Sequence, residues 1–122
     1  MKINITAKNI ELSQAIREYI EKKLNSVEKK LIDPNNTGAF CDVEVGKTTD
    51  HHKQGDLFRA EFNLNVDGVY LRTESEKDNL YAAIDEAKDE LFSSLRSKKK
   101  KKMHLGRRGA LKIKNFIKGL KW

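Results

Sequence analysis

The 122-residue chain predicts an α+β domain: a four-stranded mixed sheet with two helices packed on one face, in the order βαβββα. Three observations carry that expectation. Four stretches alternate apolar with polar residues, two others repeat apolar residues at helical spacing, and Asp67-Gly68 joins two of the alternating stretches as a tight hairpin.

Met1 to Ala7 alternates Ile3 and Ile5 with polar neighbours, as a strand with one buried face does. Ser13 then offers an N-cap. Ile16, Ile20, Leu24, Val27 and Leu31 recur at steps of four, four, three and four, while Arg17, Glu18, Glu21, Lys22, Glu28 and Lys29 fill the other faces. This predicts an amphipathic helix of about five turns, ended by Asp33-Pro34 and the turn-forming Asn35-Asn36-Thr37-Gly38. Ala39 to Lys47 places Cys41, Val43 and Val45 on one side of a strand. Leu57 to Val66 does the same with Phe58, Ala60, Phe62, Leu64 and Val66, and Val69 to Ser75 with Val69, Leu71 and Thr73. Asp67-Gly68 suits a type I′ turn, which needs positive φ at both central positions. The polar link from Thr48 to Asp56 reads as a flexible loop.

Asp78 is a good N-cap for a second helix, in which Leu80, Ile84, Ala87, Leu91 and Leu95 keep the helical period. Beyond Leu95 there is nothing apolar to bury. The segment from Arg96 to Lys102 is expected to continue as a solvated helix or to fray, with Gly106 and Gly109 interrupting the chain after it. The final LKIKNFIKGLKW sets Ile113, Phe116, Ile117 and Leu120 opposite lysines, a basic amphipathic helix too short to be stable alone in water. The first crossover implies parallel pairing with right-handed connection, and the next strands pair as meanders. One sheet face is left polar, carrying Arg59, Glu61, Asn63, Arg72 and Glu74.

The length allows one domain, which hides roughly two-thirds of its extended surface on folding. A single cysteine, Cys41, closes no internal disulfide and reads as a small buried hydrophobe. The N-terminus is too polar for a signal peptide, and the longest apolar run is the four residues Tyr81 to Ile84, so the expectation is a soluble cytoplasmic protein. Charge is uneven. Residues 1–95 hold 13 Lys plus Arg against all 18 Asp plus Glu, a balance of −5; residues 96–122 hold 12 Lys plus Arg and no acid. The net +7 is therefore a mildly acidic body carrying a +12 C-terminal segment, a pattern of arms for polyanions rather than of merely solubilising extensions.

Little points to catalysis. His51-His52 is the only histidine pair, and a metal would need further ligands converging from elsewhere, so a solvated loop is the first reading, phosphate or base contact the second and metal the third. The helix acids sit at spacings suited to solvated faces and to i,i+4 pairs such as Glu18 with Lys22. No glycine-rich phosphate loop or nucleophile motif is present, and neither a cofactor nor a small-molecule substrate is expected. Nucleic acid is the natural partner of the cationic segment, with affinity that falls as salt rises. Sequence-specific readout is not expected, Tyr70 being the sole aromatic stacking candidate on the polar sheet face.

The residues also carry a resemblance. Asp78-Asn79-Leu80-Tyr81-Ala82-Ala83-Ile84-Asp85, preceded by Leu71-Arg72-Thr73-Glu74 and Phe58-Arg59-Ala60-Glu61, resembles the signature of the ribosome hibernation promoting factor and protein Y family. Ile3-Asn4-Ile5-Thr6-Ala7-Lys8-Asn9 and Ile16-Arg17-Glu18-Tyr19-Ile20 are similar to its opening strand and helix. The resemblance covers about residues 1–102, agrees with the order βαβββα, and implies a fold like that of double-stranded-RNA-binding domains.

It further implies a non-catalytic factor that binds ribosomal RNA of the small ribosomal subunit and blocks translation by occluding the messenger and transfer RNA sites. Residues 1–102 would form the ribosome-binding domain and residues 103–122 a basic tail, disordered or folding as an amphipathic helix on binding. The family's basic positions match Arg17, Lys23, Lys29 and Arg72, then Arg96, Lys98, Lys99 and Lys101; Lys100 and Lys102 complete the lysine run. Arg107 and Arg108 in the tail are expected on RNA phosphates. Glu90 and Ser93 depart from the family, standing where many relatives are basic, which displaces the patch towards the C-terminus. No dedicated dimerisation domain and no membrane partner are expected. The alternatives are a basic-tailed modulator of a transcription sigma factor, or a membrane- or protein-docking module built on the tail.

Overall fold

The computed structural model of the chain describes residues 1–49 and 55–108, without the side chains of Thr49 and residues 101–108. The elements are β1 (Lys2–Lys8), α1 (Gln14–Leu31), β2 (Phe40–Thr49), β3 (Asp56–Val66), β4 (Val69–Lys77) and α2 (Leu80–Arg108). The sheet order is β1-β2-β3-β4. β1 runs parallel to β2 from Lys2 opposite Phe40 to Lys8 opposite Gly46, as the crossover through α1 requires. β2 with β3 and β3 with β4 are antiparallel. The turn between the last two strands has φ of 51° at Asp67 and 77° at Gly68, the positive pair that a type I′ turn demands.

One close approach fixes a residue type. A Cβ on Gly46 would lie 2.9 Å from the backbone oxygen of Lys8, so only glycine lets β1 and β2 sit at this separation.

Capping chemistry sets the helix limits. The Ser13 hydroxyl accepts the Ile16 N–H at 3.2 Å, and α1 ends where the Ile32 N–H donates to the Glu28 carbonyl and the Asp33 carboxylate accepts the Asn35 N–H at 2.8 Å. At α2 the cap is Asn79 rather than Asp78: its side-chain oxygen accepts the Tyr81 and Ala82 N–H groups at 2.8 and 3.2 Å. Both residues make good caps, and the helix starts one position later than expected. Its other end differs more. The helix runs to Arg108, across Gly106, instead of being interrupted there.

The core is one layer between sheet and helices. Ile20, Leu24, Val27 and Leu31 of α1 and Leu80, Ala83, Ile84, Ala87, Leu91 and Leu95 of α2 pack with Cys41, Val43, Val45, Ala60, Phe62, Leu64, Val66 and Leu71. Cys41 is fully buried, and that burial pushes its thiol up to about 12. The Thr73 hydroxyl donates to the Ala87 carbonyl at 2.8 Å, tying β4 to α2.

The helices lie side by side in the same direction. Tyr19 meets Tyr81 and Asp85, Lys23 meets Asp85, and Lys30 meets Phe92. The end of α1 therefore lies beside the middle of α2, at the end of the sheet that carries the Asp67-Gly68 turn. There the Asn36 side chain donates to Asp67 at 3.0 Å, and Leu71 borders Ser93, Ser94, Ser97 and Lys98. Among the described residues no helix is long and apolar enough to cross a membrane.

Candidate nucleic-acid interface

α2 outruns its own core. Leu95 is its last buried residue, yet the backbone stays helical to Arg108, a projection of about 20 Å at 1.5 Å per residue. Lysine is a good helix former, so the segment needs no apolar contact to continue. Successive residues turn by about 100°, so Lys98, Lys99 and Lys100 spread their cations over about 200° of the helix surface rather than along one stripe. Arg96, Lys98 and Lys100 are exposed and Lys99 is half-buried.

α1 adds to the same end. Lys29 and Lys30 occupy its last turn, where the carbonyl end of the helix favours cations. The Lys30 ammonium lies 5.8 Å from the centre of the Phe92 ring, and Lys88 lies 5.7 Å from it. Among the described residues, Lys29, Lys30, Arg96, Lys98, Lys99 and Lys100 make no ion pair, so no carboxylate neutralises their charge.

The remaining expected residues are placed differently. Arg17 is exposed near the start of α1, about 18 Å along the axis from Lys29. Lys23 is held by Asp85 at 3.2 Å and sits 5.1 Å from the Tyr19 ring centre, while the Tyr19 hydroxyl donates to Asp85 at 2.6 Å. Those hydrogen bonds to Asp85 raise both the Tyr19 phenol and the Lys23 ammonium above their usual values. Tyr81 packs edge-on against Tyr19 with centroids 4.8 Å apart, so Lys23 belongs to a latch between the helices.

Arg72 is likewise engaged. Its Nε donates to Glu61 at 2.6 Å and its guanidinium pairs with Glu74 at 3.3 Å. Arg59 joins Glu44, Glu61 and Glu74 from the other side. Burial works against ionising Glu61, but hydrogen bonds from Asn63, Arg72 and Arg59 outweigh it and hold the carboxyl below its ordinary range. The middle of the open sheet face is thus a self-neutralising lattice. Beside it, a shallow groove of about 780 Å³ between β4 and α2 is lined by Arg72, Glu86, Asp89, Glu90 and Ser93. Its acids disfavour polyanions, which leaves the cationic face at the C-terminal end of α2.

Lys101, Lys102, Arg107 and Arg108 occupy helical positions, with side chains outside the described residues. His51, His52 and the amphipathic stretch from Ile113 to Leu120 lie outside them entirely. Lys30 was not among the expected residues, although its spacing of seven from Lys23 puts it on the side of α1 that faces α2. Phe40 was also missed: it is exposed on the open sheet face, so Tyr70 is not the sole aromatic there.

A family model described as Sigma 54 modulation protein / S30EA ribosomal protein matches residues 3–103. The chain belongs to this family. The ribosome hibernation promotion factor of Deinococcus radiodurans is 33% identical over 100 residues, covering 81% of this chain and 49% of its own length. The ribosome hibernation promoting factor of Escherichia coli K12 is 31% identical over 105 residues, covering 85% of this chain and 100% of its own. The chain thus spans about half the length of some curated relatives and matches others throughout. Among solved structures, the crystal structure of the Thermus thermophilus Protein Y N-terminal domain superposes with a TM-score of 0.64 at 30% identity, covering 80% of this chain and 98% of that domain. The βαβββα order and mixed sheet are the α+β fold of that domain.

Proposed function

We propose that this chain is a ribosome hibernation factor that binds the RNA of the small ribosomal subunit and blocks translation by occupying the messenger and transfer RNA sites. The observation that carries the proposal is the lysine-bearing projection of α2 beyond Lys29 and Lys30, in a chain whose relatives are named ribosome hibernation factors. Cations on a rigid body gain affinity by releasing counterions from phosphates, and the body excludes whatever shares the site. Inhibition by occupancy needs neither cofactor nor bond chemistry, and it acts in the cytoplasm where ribosomes work. Residues 1–102 supply the docking body and residues 103–122 an added basic arm, with α2 crossing that boundary to Arg108.

The family description also names sigma 54 modulation, which keeps a transcription regulator as the second reading. Co-sedimentation with isolated small and large subunits, with a transfer RNA competition and a polymerase control, tests both. The proposal expects salt-sensitive binding to small subunits and mutual displacement with transfer RNA. Binding to polymerase alone, or to small subunits without displacement, would overturn it.

A further inference from the structure

The open face of the sheet ends in a row unlike the rest of it. At the end that carries the Asp67-Gly68 turn, Lys2, Phe40, Asn65 and Tyr70 lie opposite one another across all four strands. Their neighbours in sequence, Cys41, Leu64, Val66 and Leu71, point into the core, so all four project from the open side. Phe40 is 38% and Tyr70 59% exposed, two of the three large hydrophobics exposed among the described residues. They are two strands apart, about 10 Å. The Tyr70 hydroxyl donates to Asn63 at 2.7 Å, which restrains the ring over the sheet.

Charge distinguishes this row from the others. It contains no carboxylate. The next row, Asn4, Asp42, Asn63 and Arg72, has one carboxylate and one guanidinium, and the third, Thr6, Glu44, Glu61 and Glu74, is acidic. The last row across all four strands, Lys8, Gly46, Arg59 and Glu76, again holds a carboxylate, so the Phe40–Tyr70 row alone offers a polyanion a crossing without one. Lys2 stands at its β1 end.

We propose that Phe40 and Tyr70 form a stacking platform for unpaired bases of a single-stranded RNA segment, with Lys2 meeting a flanking phosphate. A four-stranded sheet presenting aromatic rings to two or three bases is a known solution to binding single strands, and stacking is tolerant of base identity. The inference rests on the RNA-binding reading above and adds to it a contact with bases rather than phosphates.

The test compares binding of a short oligouridylate and of an abasic oligomer with the same number of phosphates. Phe40→Leu and Tyr70→Leu should each weaken oligouridylate binding roughly 5- to 150-fold, the range expected for losing one stacked base, and leave the abasic oligomer unaffected. Tyr70→Phe keeps the ring and should bind as the wild type does. In the unmodified protein, the ring protons of Phe40 and Tyr70 should shift on adding oligouridylate. Unmoved ring protons, wild-type affinity in both leucine variants, or equal losses for both oligomers would overturn the platform. Loss of binding in Lys98, Lys99 and Lys100 variants alongside any of these outcomes would leave the phosphate-binding reading standing, so the two fail separately.

Discussion

Replacing Lys98, Lys99 and Lys100 together by alanine removes three unpaired cations from a helix that alanine supports equally well, so charge changes while the fold does not. Each lysine on a phosphate contributes about 0.7 to the salt slope on single strands and about 0.9 on duplex. The triple variant should therefore flatten the slope of log affinity against log salt by about 2 to 3. Between 50 and 200 mM salt, the wild type should then lose about 20- to 40-fold more affinity for small ribosomal subunits than the variant does. Arg72→Ala provides the contrast, because its guanidinium already pairs with Glu61 and Glu74, and its slope should stay within about 0.5 of wild type. Binding over a salt series, with circular dichroism to verify folding, gives both numbers. An unchanged slope in the triple variant, or an equal change in Arg72→Ala, would refute the assignment of affinity to the end of α2.

The α/β body supplies three further expected outcomes. Gly46→Ala forces a Cβ to within 2.9 Å of the Lys8 carbonyl and should cost about 1–3 kcal/mol, read as a lower urea midpoint at unchanged m. Asp85→Ala removes the acceptor that raises the Tyr19 phenol, so ultraviolet titration should show one tyrosine moving back towards 10.0. Glu61, lowered in the fold from 4.5, contributes stability that is present above that value and lost as pH falls through its folded pKa; Glu61→Gln should flatten the acid limb of stability against pH.

The fold was legible because each strand has one apolar face and each helix one apolar stripe, so the apolar pattern determined which sides face the core. Cys41, Val43 and Val45 alternate inward as the sequence predicts, and Leu80 to Leu95 keep their period until the sheet runs out. The end of α2 was less legible, since a reading based on apolar spacing stops at Leu95 while lysines continue a helix without packing. The cap moved from Asp78 to Asn79 because two adjacent residues offer the same chemistry. Charge pairing was the least visible. Lys23 and Asp85 lie far apart in sequence, as do Arg59 and Glu44, and only the packed helices and the strand register bring them together. Phe40 escaped notice because a single aromatic at a strand start carries no periodic signal. Its place beside Asn65 and Tyr70 depends on register across three strands.

Tethering a hydroxyl-radical source at Lys100→Cys is the most direct test of the central proposal, that the C-terminal end of α2 lies against small-subunit RNA. The native Cys41 does not compete for labelling, being buried with its thiol pushed up to about 12. On ribosomes loaded with the labelled protein, strand breaks should appear in small-subunit RNA and disappear when transfer RNA displaces the factor. Breaks confined to large-subunit RNA, or none in small-subunit RNA while the protein stays bound, would contradict it.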